Sequence, residues 1–402
     1  MGLPGNDSVG HPRIFISAGE ASGDLHGAGL IRAIRGLAPD AEIVALGGPR
    51  MQAAGARLLA NTVDFGVIGF LPIFGSFWRY LELLSRADRF LGQWRPDVAV
   101  TIDCPGFHFL LASRLRARRV PLLWYIPPQL WAWASWRVKK LRRRYTRVAC
   151  VLPHEEKFFR DAGVPVTFVG HPTIDHLREY PLDQAFIRTL RSSPSERLVA
   201  IFPGSRRQEV TGILSRQLVA AKAIAARHPP CAFVLALAAE EHRAWVAPQV
   251  EAGGLAIRTV VGKTHEVQSA ANLALAKSGT TTLELTYYET PMVVFYNVSV
   301  IQWNLFGHRL ITTPFLALPN ALAGRRIVPE YMWARHPTPA EIDEICSLLV
   351  DDRLRGEMLK DLAAIHRLLE KPDAAKNAAM EVLSLVGTPV PPLAGWRPGF
   401  DV

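Results

Sequence analysis

Short, almost unbroken apolar runs alternate along this chain with longer stretches in which apolar residues recur every three or four positions. In the first half the runs fall at 13–18, 42–46, 97–102, 121–126, 147–152 and 166–169, and helical periodicity fills 24–37, 74–92, 106–119 and 135–144. An apolar run without alternation describes a strand buried on both faces, and strands joined by a helix-length crossover pair in parallel. GHPTID and the polar, proline-containing stretch 178–197 read as a domain link, after which the pattern restarts at LVAIF (198–202). A PGSR turn leads into a helix through Ala226, and further strands are expected near 232–238, 256–261, 273–276 and 291–296. A helical segment with one polar face follows at 339–386. The fold class is α/β, with the pattern laid down twice.

At 402 residues the chain is too long for one ordinary domain, and 49% hydrophobic residues suffice for two large cores. Domains are expected at 1–172 and 173–340, with C-terminal helices in 341–402. The net charge of +10 is concentrated: RVKKLRRRYTR (137–147) holds seven basic side chains and no acid, and 114–119 adds four more. Such a cluster serves nucleic acid, anionic lipid headgroups or phosphorylated substrates, or is simply a solvated helix face. Cys104, Cys150, Cys231 and Cys346 lie far apart with no CxxC spacing, and no carboxylate pair has Mg²⁺ spacing, so neither metal nor cofactor is expected. Cys150 and Cys231, within apolar runs, are expected to be buried and inert in a reduced, cytosolic setting. The opening MGLPGNDSVGHPR lacks an apolar signal core, and no run of ~18 or more apolar residues suits a bilayer span.

Chemistry-bearing residues gather where strands are expected to end. ISAGEASGDLHGA carries Glu20 and Asp24 in a small-residue turn between strand and helix. Ligands of open α/β sheets bind at such carboxyl-end loops, although the turn is not GxGxxG. Asp24 suits a helix N-cap, and Glu20 suits a ligand. TIDCPGFHF places Asp103 at another strand end, either as a cap or as a general base, with His108 as a candidate assistant. FPGSRRQEV offers Ser205 and Arg206 at a glycine turn that opens a helix, an arrangement that binds anions. KSGTTTLE repeats it with Ser278, Gly279 and Thr280, while Glu284 one turn on can reach a sugar hydroxyl pair or close a capping box. LPNALAGRRIVPE packs Asn320, Gly324, Arg325, Arg326 and Glu330 into one non-periodic stretch. Finally, fourteen uncharged residues from Phe65 to Trp78 include Phe70, Leu71, Ile73 and Phe74. The segment is too short to span a bilayer and too broken by Gly and Pro for a core helix. With Trp124, Trp131, Trp133 and Trp136 near the basic run, it suits an interfacial, membrane-facing surface; the plainer reading is ordinary core.

AGEASGDLHGA, IPPQLWAW with RVKKLRR, FVGHP, FPGSRRQEV, and KSGTTTLE running on to LPNALAGRRIVPE resemble, in order, the signatures of the lipid-A-disaccharide synthase family. The resemblance implies two Rossmann-like domains facing a cleft, the GT-B glycosyltransferase fold. It implies transfer of 2,3-diacylglucosamine from its UDP conjugate to 2,3-diacylglucosamine 1-phosphate, with inversion, at the inner face of the inner membrane. Asp103 would be the base, with Glu20 in reserve. The nucleotide would lie at Ser278–Thr280, with Glu284 on the ribose hydroxyls and Asn320 at the diphosphate. C-terminal helices would return to the first domain and be exchanged within a homodimer. One departure stands out: where the family reads DAPDF and then Asn, this chain has Cys104, Gly106 and His108.

Two other functions fit parts of this pattern. A UDP-sugar 2-epimerase-like enzyme would share the diphosphate loops but needs no lipid-facing segment. A non-catalytic lipid-binding relative would need neither Asp103 nor Arg206. Nucleic acid binding through 137–147 has no accompanying RNA- or DNA-binding signature.

Overall fold

The computed structural model describes residues 11–63, 74–298, 311–333 and 335–390. The chain forms two compact units, one of Met1–Trp131, Ser135–Pro172 and Lys371–Val402, the other of Ala132–Ala134 and Thr173–Glu370. The first contains strands β1 (Arg13–Ala18), β2 (Glu42–Gly47), β3 (Arg57–Asn61), β4 (Val98–Ile102), β5 (Leu122–Tyr125), β6 (Arg147–Cys150) and β7 (Val166–Phe168). They pair in parallel in the order β3-β2-β1-β4-β5-β6-β7. The second contains β8 (Arg197–Phe202), β9 (Cys231–Leu237), β10 (Ile257–Val261), β11 (Leu273–Lys277), β12 (Met292–Val298) and β13 (Glu330–Trp333). These too are parallel, in the order β10-β9-β8-β11-β12-β13.

Central strands are covered on both faces, as their unbroken apolar runs require: Ile14, Phe15 and Ile16 of β1 and Val98 to Val100 of β4 are fully buried. Edge strands are not. RLLAN of β3 is exposed or half-buried throughout, so its sequence carries no strand-like run. In both sheets the order reverses once, between β1 and β4 and between β8 and β11. Neighbouring crossovers diverge there and leave a crevice at the carboxyl ends of the strands.

Several expectations are corrected. Stretch 178–197 is no free link: Asp183 caps helix Gln184–Arg188, and Arg191 bonds Asn272 Oδ1 at 3.0 Å, so it packs within the second unit. Segment 341–402 does not return to the first unit as one piece. Helices Pro339–Val350 and Asp352–Leu369 belong to the second unit, and the chain rejoins the first only at Lys371. There helix Ala374–Ser384 packs on helix Ala21–Leu37, pairs Glu381 with Arg147, and bonds Asn377 Nδ2 to the Val169 carbonyl at 3.0 Å. Cys231 is part-exposed rather than buried, while Cys104, Cys150 and Cys346 are buried, all four as free thiols.

Candidate active site

At the reversal in the first sheet, Ala18 of β1 pairs with Ile102 of β4, so Glu20 and Asp103 follow adjacent strand ends. Asp24 does not cap its own helix. It is buried in the first turn of Ala21–Leu37, and its carboxylate accepts from the amides of Gly48 (2.8 Å), Arg50 (3.1 Å) and Met51 (3.0 Å). It thereby fixes the start of the next helix, Pro49–Ala53, beyond β2. Thr62 Oγ1 donates to the Ala18 carbonyl at 2.6 Å and holds the end of β1 from the other side. Glu20, at the N-cap position with extended backbone, is left at the mouth of this braced turn.

Asp103 and Cys104 take left-handed backbone angles in succession, φ +52° and +48°. Non-glycine residues pay about 1–2 kcal/mol for that conformation, so the surroundings must impose it. His108 is the enforcing residue. It is fully buried in helix Pro105–Ala117; its Nδ1 lies 2.6 Å from the Asp103 main-chain oxygen, and its Nε2 lies 2.9 Å from Ser17 Oγ. A carbonyl only accepts, so Nδ1 carries the proton and Nε2 accepts from the serine hydroxyl. Burial pushes the imidazole down to about 4, which keeps it in this neutral form. The expected assistance to the Asp103 carboxylate is thus replaced by a grip on the Asp103 backbone. Cys104, not Asp103, occupies the N-cap of the helix. Burial raises the Asp103 carboxyl above its ordinary range, partly offset by the Cys104 amide, and suits it to accept a proton. Both Asp103 and Glu20 bear electrostatically on the Cys104 thiol, which burial chiefly drives up to about 12.

At the second reversal, Phe202 of β8 pairs with Ala276 of β11. The loops after these strands carry Ser205 and Arg206 on one side and Ser278, Gly279 and Thr280 on the other. Gly204 (φ +110°) and Gly279 (φ +150°) make the tight turns that precede helices Arg207–Arg227 and Thr280–Tyr287, backbone that a side chain would strain. Both helix starts therefore direct amide N–H groups toward the crevice. Ser205 and Arg206 are exposed. Beneath them the buried Gln217 donates to the carbonyls of Phe202 (3.1 Å) and Leu275 (2.9 Å), tying β8 to β11 much as His108 ties the first reversal. Glu284 is half-buried and accepts from Gln268 Nε2 at 2.7 Å, so it closes no capping box; Thr282 Oγ1 donates to the Gly279 carbonyl at 2.8 Å.

Residues 318–330 are buried at Asn320 and at 327–329 and exposed at Gly324, Arg325 and Arg326. Asn320 is fully buried; its Oδ1 accepts from the amides of Ile327 (2.7 Å) and Val328 (2.9 Å), and its Nδ2 donates to the Val328 carbonyl at 2.9 Å. Gly324 (φ +65°) ends helix Leu318–Ala323. Arg325 pairs with Asp361, and Arg326 forms a two-point pair with Glu344 at 2.6 and 3.0 Å. Glu330 accepts from the amides of Leu316 (3.2 Å) and Ala317 (2.7 Å). The stretch is a latched loop behind the Ser278 turn. Tyr296 links the two, its hydroxyl bonding Ser278 and approaching Glu330.

The sequence model of the family described as Lipid-A-disaccharide synthetase matches residues 14–382. The chain belongs to the lipid-A-disaccharide synthase family. The lipid-A-disaccharide synthase of Myxococcus xanthus is 35% identical over 375 residues, spanning 93% of this chain and 98% of that protein. That of Geobacter sulfurreducens is 35% identical over 382 residues, spanning 94% and 98%. Among solved structures, the UDP-GlcNAc 2-epimerase of Neisseria meningitidis has a TM-score of 0.60 at 11% identity, covering 93% of this chain and all of its own. The MurG protein of Acinetobacter baumannii scores 0.56 at 13%, covering 93% and 99%. At these identities the likeness establishes the fold alone, the two parallel α/β units of GT-B glycosyltransferases and epimerases. Membership of the synthase family makes the chain a glycosyltransferase of lipid A disaccharide synthesis.

The residues expected to face a membrane lie mostly outside the described residues. Phe70, Leu71 and Ile73 lie outside the described residues, as does the side chain of Phe74 at the start of helix Phe74–Trp94. Trp124 is core, stacked on Tyr145 at 4.5 Å, while Trp136 is 52% exposed. Within the basic run, Arg144 is buried and bonds the Phe109 carbonyl at 3.0 Å and Arg147 pairs with Glu381, leaving Lys139, Lys140, Arg142 and Arg143 exposed. No helix among the described residues is long and apolar enough to cross a membrane.

Proposed function

We propose that the protein transfers 2,3-diacylglucosamine from UDP-2,3-diacylglucosamine to 2,3-diacylglucosamine 1-phosphate, with inversion, yielding the β-1,6-linked disaccharide 1-phosphate and UDP. The observation that carries this reading is the placement of Glu20 with Asp103, and of Arg206 with Ser278–Thr280, at the reversals of the two sheets in a chain of this family. Asp103 takes the proton of the attacking acceptor hydroxyl as that oxygen bonds to the anomeric carbon and the UDP oxygen departs with the bonding pair. Its raised affinity for a proton and its backbone, locked by His108, fit a general base. Glu20 is the second candidate for that proton or for an acceptor contact.

In the second unit, Ser205, Arg206 and the amides opening at Gly279 and Thr280 stabilise charge growing on the diphosphate. Glu284 takes the ribose hydroxyls. Asn320, Gly324, Arg325 and Glu330 act through the loop they hold, with Asn320 as its latch beside the diphosphate. The chain works peripherally on the anionic inner face of the inner membrane, through 65–78 and the exposed cations of 139–143, and forms a homodimer in which helix Ala374–Ser384 leaves the first unit of its own chain for that of its partner. The test is incubation of the purified protein with both acylated sugars and mass detection of the product. Conversion of the donor without acceptor would instead indicate the epimerase-like reaction.

A further inference from the structure

Glu284 does not stand alone. Its Oε2 receives the 2.7 Å bond from Nε2 of Gln268, a completely buried side chain on helix Thr264–Ala270. Gln268 Oε1 in turn lies 3.1 Å from His265 Nδ1. The chemistry sets the direction of this relay. A carboxylate only accepts, so the amide nitrogen faces Glu284, the amide oxygen faces His265, and the proton sits on Nδ1. The imidazole is itself wedged, with the rings of Tyr180 and His176 edge-on at 4.6 and 5.9 Å. The Gln268 backbone is held as well, Thr290 Oγ1 donating to its carbonyl at 2.7 Å. An apolar side chain would fill the same volume without desolvating an amide, and only the two bonds offset that cost. At the far end, no described residue bonds Glu284 Oε1, and the residue is only half-buried.

We infer that Gln268 is a positioning residue that pins the Glu284 carboxylate to accept both hydroxyls of a nucleotide ribose, making the donor site selective for ribonucleotides over 2′-deoxyribonucleotides. The inference rests on the placement of the donor ribose at Glu284 proposed above. A carboxylate already held by one oxygen cannot swing to recover a bond when one hydroxyl is missing, so the loss falls in full on the deoxy ligand.

Calorimetry with UDP and 2′-deoxy-UDP tests this. The wild type should prefer UDP roughly ten- to hundredfold, the value of one hydrogen bond to a charged group. Gln268→Leu and the isosteric Gln268→Met should each weaken UDP roughly tenfold, leave 2′-deoxy-UDP little changed, and keep the wild-type melting point within a few degrees. Equal weakening of both nucleotides would make Gln268 mere packing and overturn the inference. Glu284→Gln separates the two levels of the argument. If it removes the preference while the Gln268 variants keep it, the positioning role falls and the ribose assignment stands. If wild type and Glu284→Gln bind UDP and 2′-deoxy-UDP alike, the ribose assignment falls and the role of Gln268 with it.

Discussion

His108 Nδ1 lies 2.6 Å from the main-chain oxygen of Asp103, five residues back along the chain, while its other nitrogen grips Ser17 on the neighbouring strand. One buried ring thus fastens β1 to the left-handed turn that carries the candidate base. The second unit repeats the device with an amide, Gln217 fastening the ends of β8 and β11. Each crevice is braced from below by a neutral side chain of the following crossover helix. The brace sets the loop above it without adding a charge.

Asp103→Asn should lower turnover by about 10²–10⁴-fold, the usual contribution of a general base, while UDP affinity stays close to wild type. The base must be ionised, and burial raises its pKa. The acid limb of kcat/KM should therefore fall above the ordinary carboxylate range near ~3.9 and vanish from the residual activity of the variant. Wild-type turnover in Asp103→Asn would shift attention to Glu20.

Stability should peak near pH 6–7 (roughly, from the opposing shifts below). His26, His108 and His154 are pushed by burial from 6.5 to about 4, and His171 to about 3. As pH falls from 6.5, the unfolded chain takes up protons that the folded one refuses, so stability present above 6.5 is lost toward 4. Glu155 acts in the other direction: burial lifts it from 4.5 to about 8, so its contribution is lost as pH rises through that value. Melting curves between these limits should show a maximum. Glu155→Gln should flatten the alkaline side, and His108→Asn should soften the acid side. A melting point that is level with pH would contradict the buried neutral imidazoles.

The central strands were legible because a parallel strand covered on both faces must be apolar throughout, as RIFISA and LVAIF are. The loops after them were legible because glycine, serine and charge interrupt such runs abruptly. The edge strands β3 and β13 were not, since RLLAN is exposed or half-buried throughout and the four residues of EYMW are too few to stand out as an apolar run. Nor were the braces. Gln217 meets carbonyls 15 and 58 residues away, and Asp24 caps a helix beyond the next strand. Such partners are set by sheet order, which local pattern does not encode. For the same reason Asn320 reads as a ligand contact in sequence, yet in the fold its amide holds its own loop.

Arg206→Ala should weaken UDP binding by roughly 1.5–3 kcal/mol, the cost of losing a charge-assisted contact to a desolvated phosphate. Added Mg²⁺ should not restore it, because the proposed site balances the diphosphate with this guanidinium and the amides at Gly279 and Thr280. Calorimetry with and without the cation checks both statements. Rescue by metal would require a different account of leaving-group stabilisation.

Asn320→Ala removes three hydrogen bonds and leaves the Ile327 and Val328 amides unpaired in a buried place. Each orphaned group costs about 1–3 kcal/mol, so the variant should unfold at clearly lower denaturant and lose UDP affinity in proportion. Asn320→Asp keeps the accepting oxygens and should retain more stability than Ala. If UDP affinity collapses at unchanged stability, Asn320 contacts the diphosphate directly and the latch is the lesser role.

Replacing Phe70, Ile73 and Phe74 by Ser should release the protein from anionic vesicles while its circular dichroism is preserved. Each large apolar side chain withdrawn from water contributes ~1.5–3 kcal/mol, so three together should dominate a weak surface attachment. The exposed Lys139, Lys140, Arg142 and Arg143 should add about 1 kcal/mol each near an anionic surface, an increment that salt screens. Sedimentation with vesicles at low and high salt therefore separates the terms. Salt should weaken wild-type binding partially, whereas the triple variant should be released almost entirely. Reversing the four cations to Glu should produce the complementary loss, confined to low salt. A triple variant that unfolds or precipitates would mean these apolar residues are core, and the membrane role of 65–78 would fall with them.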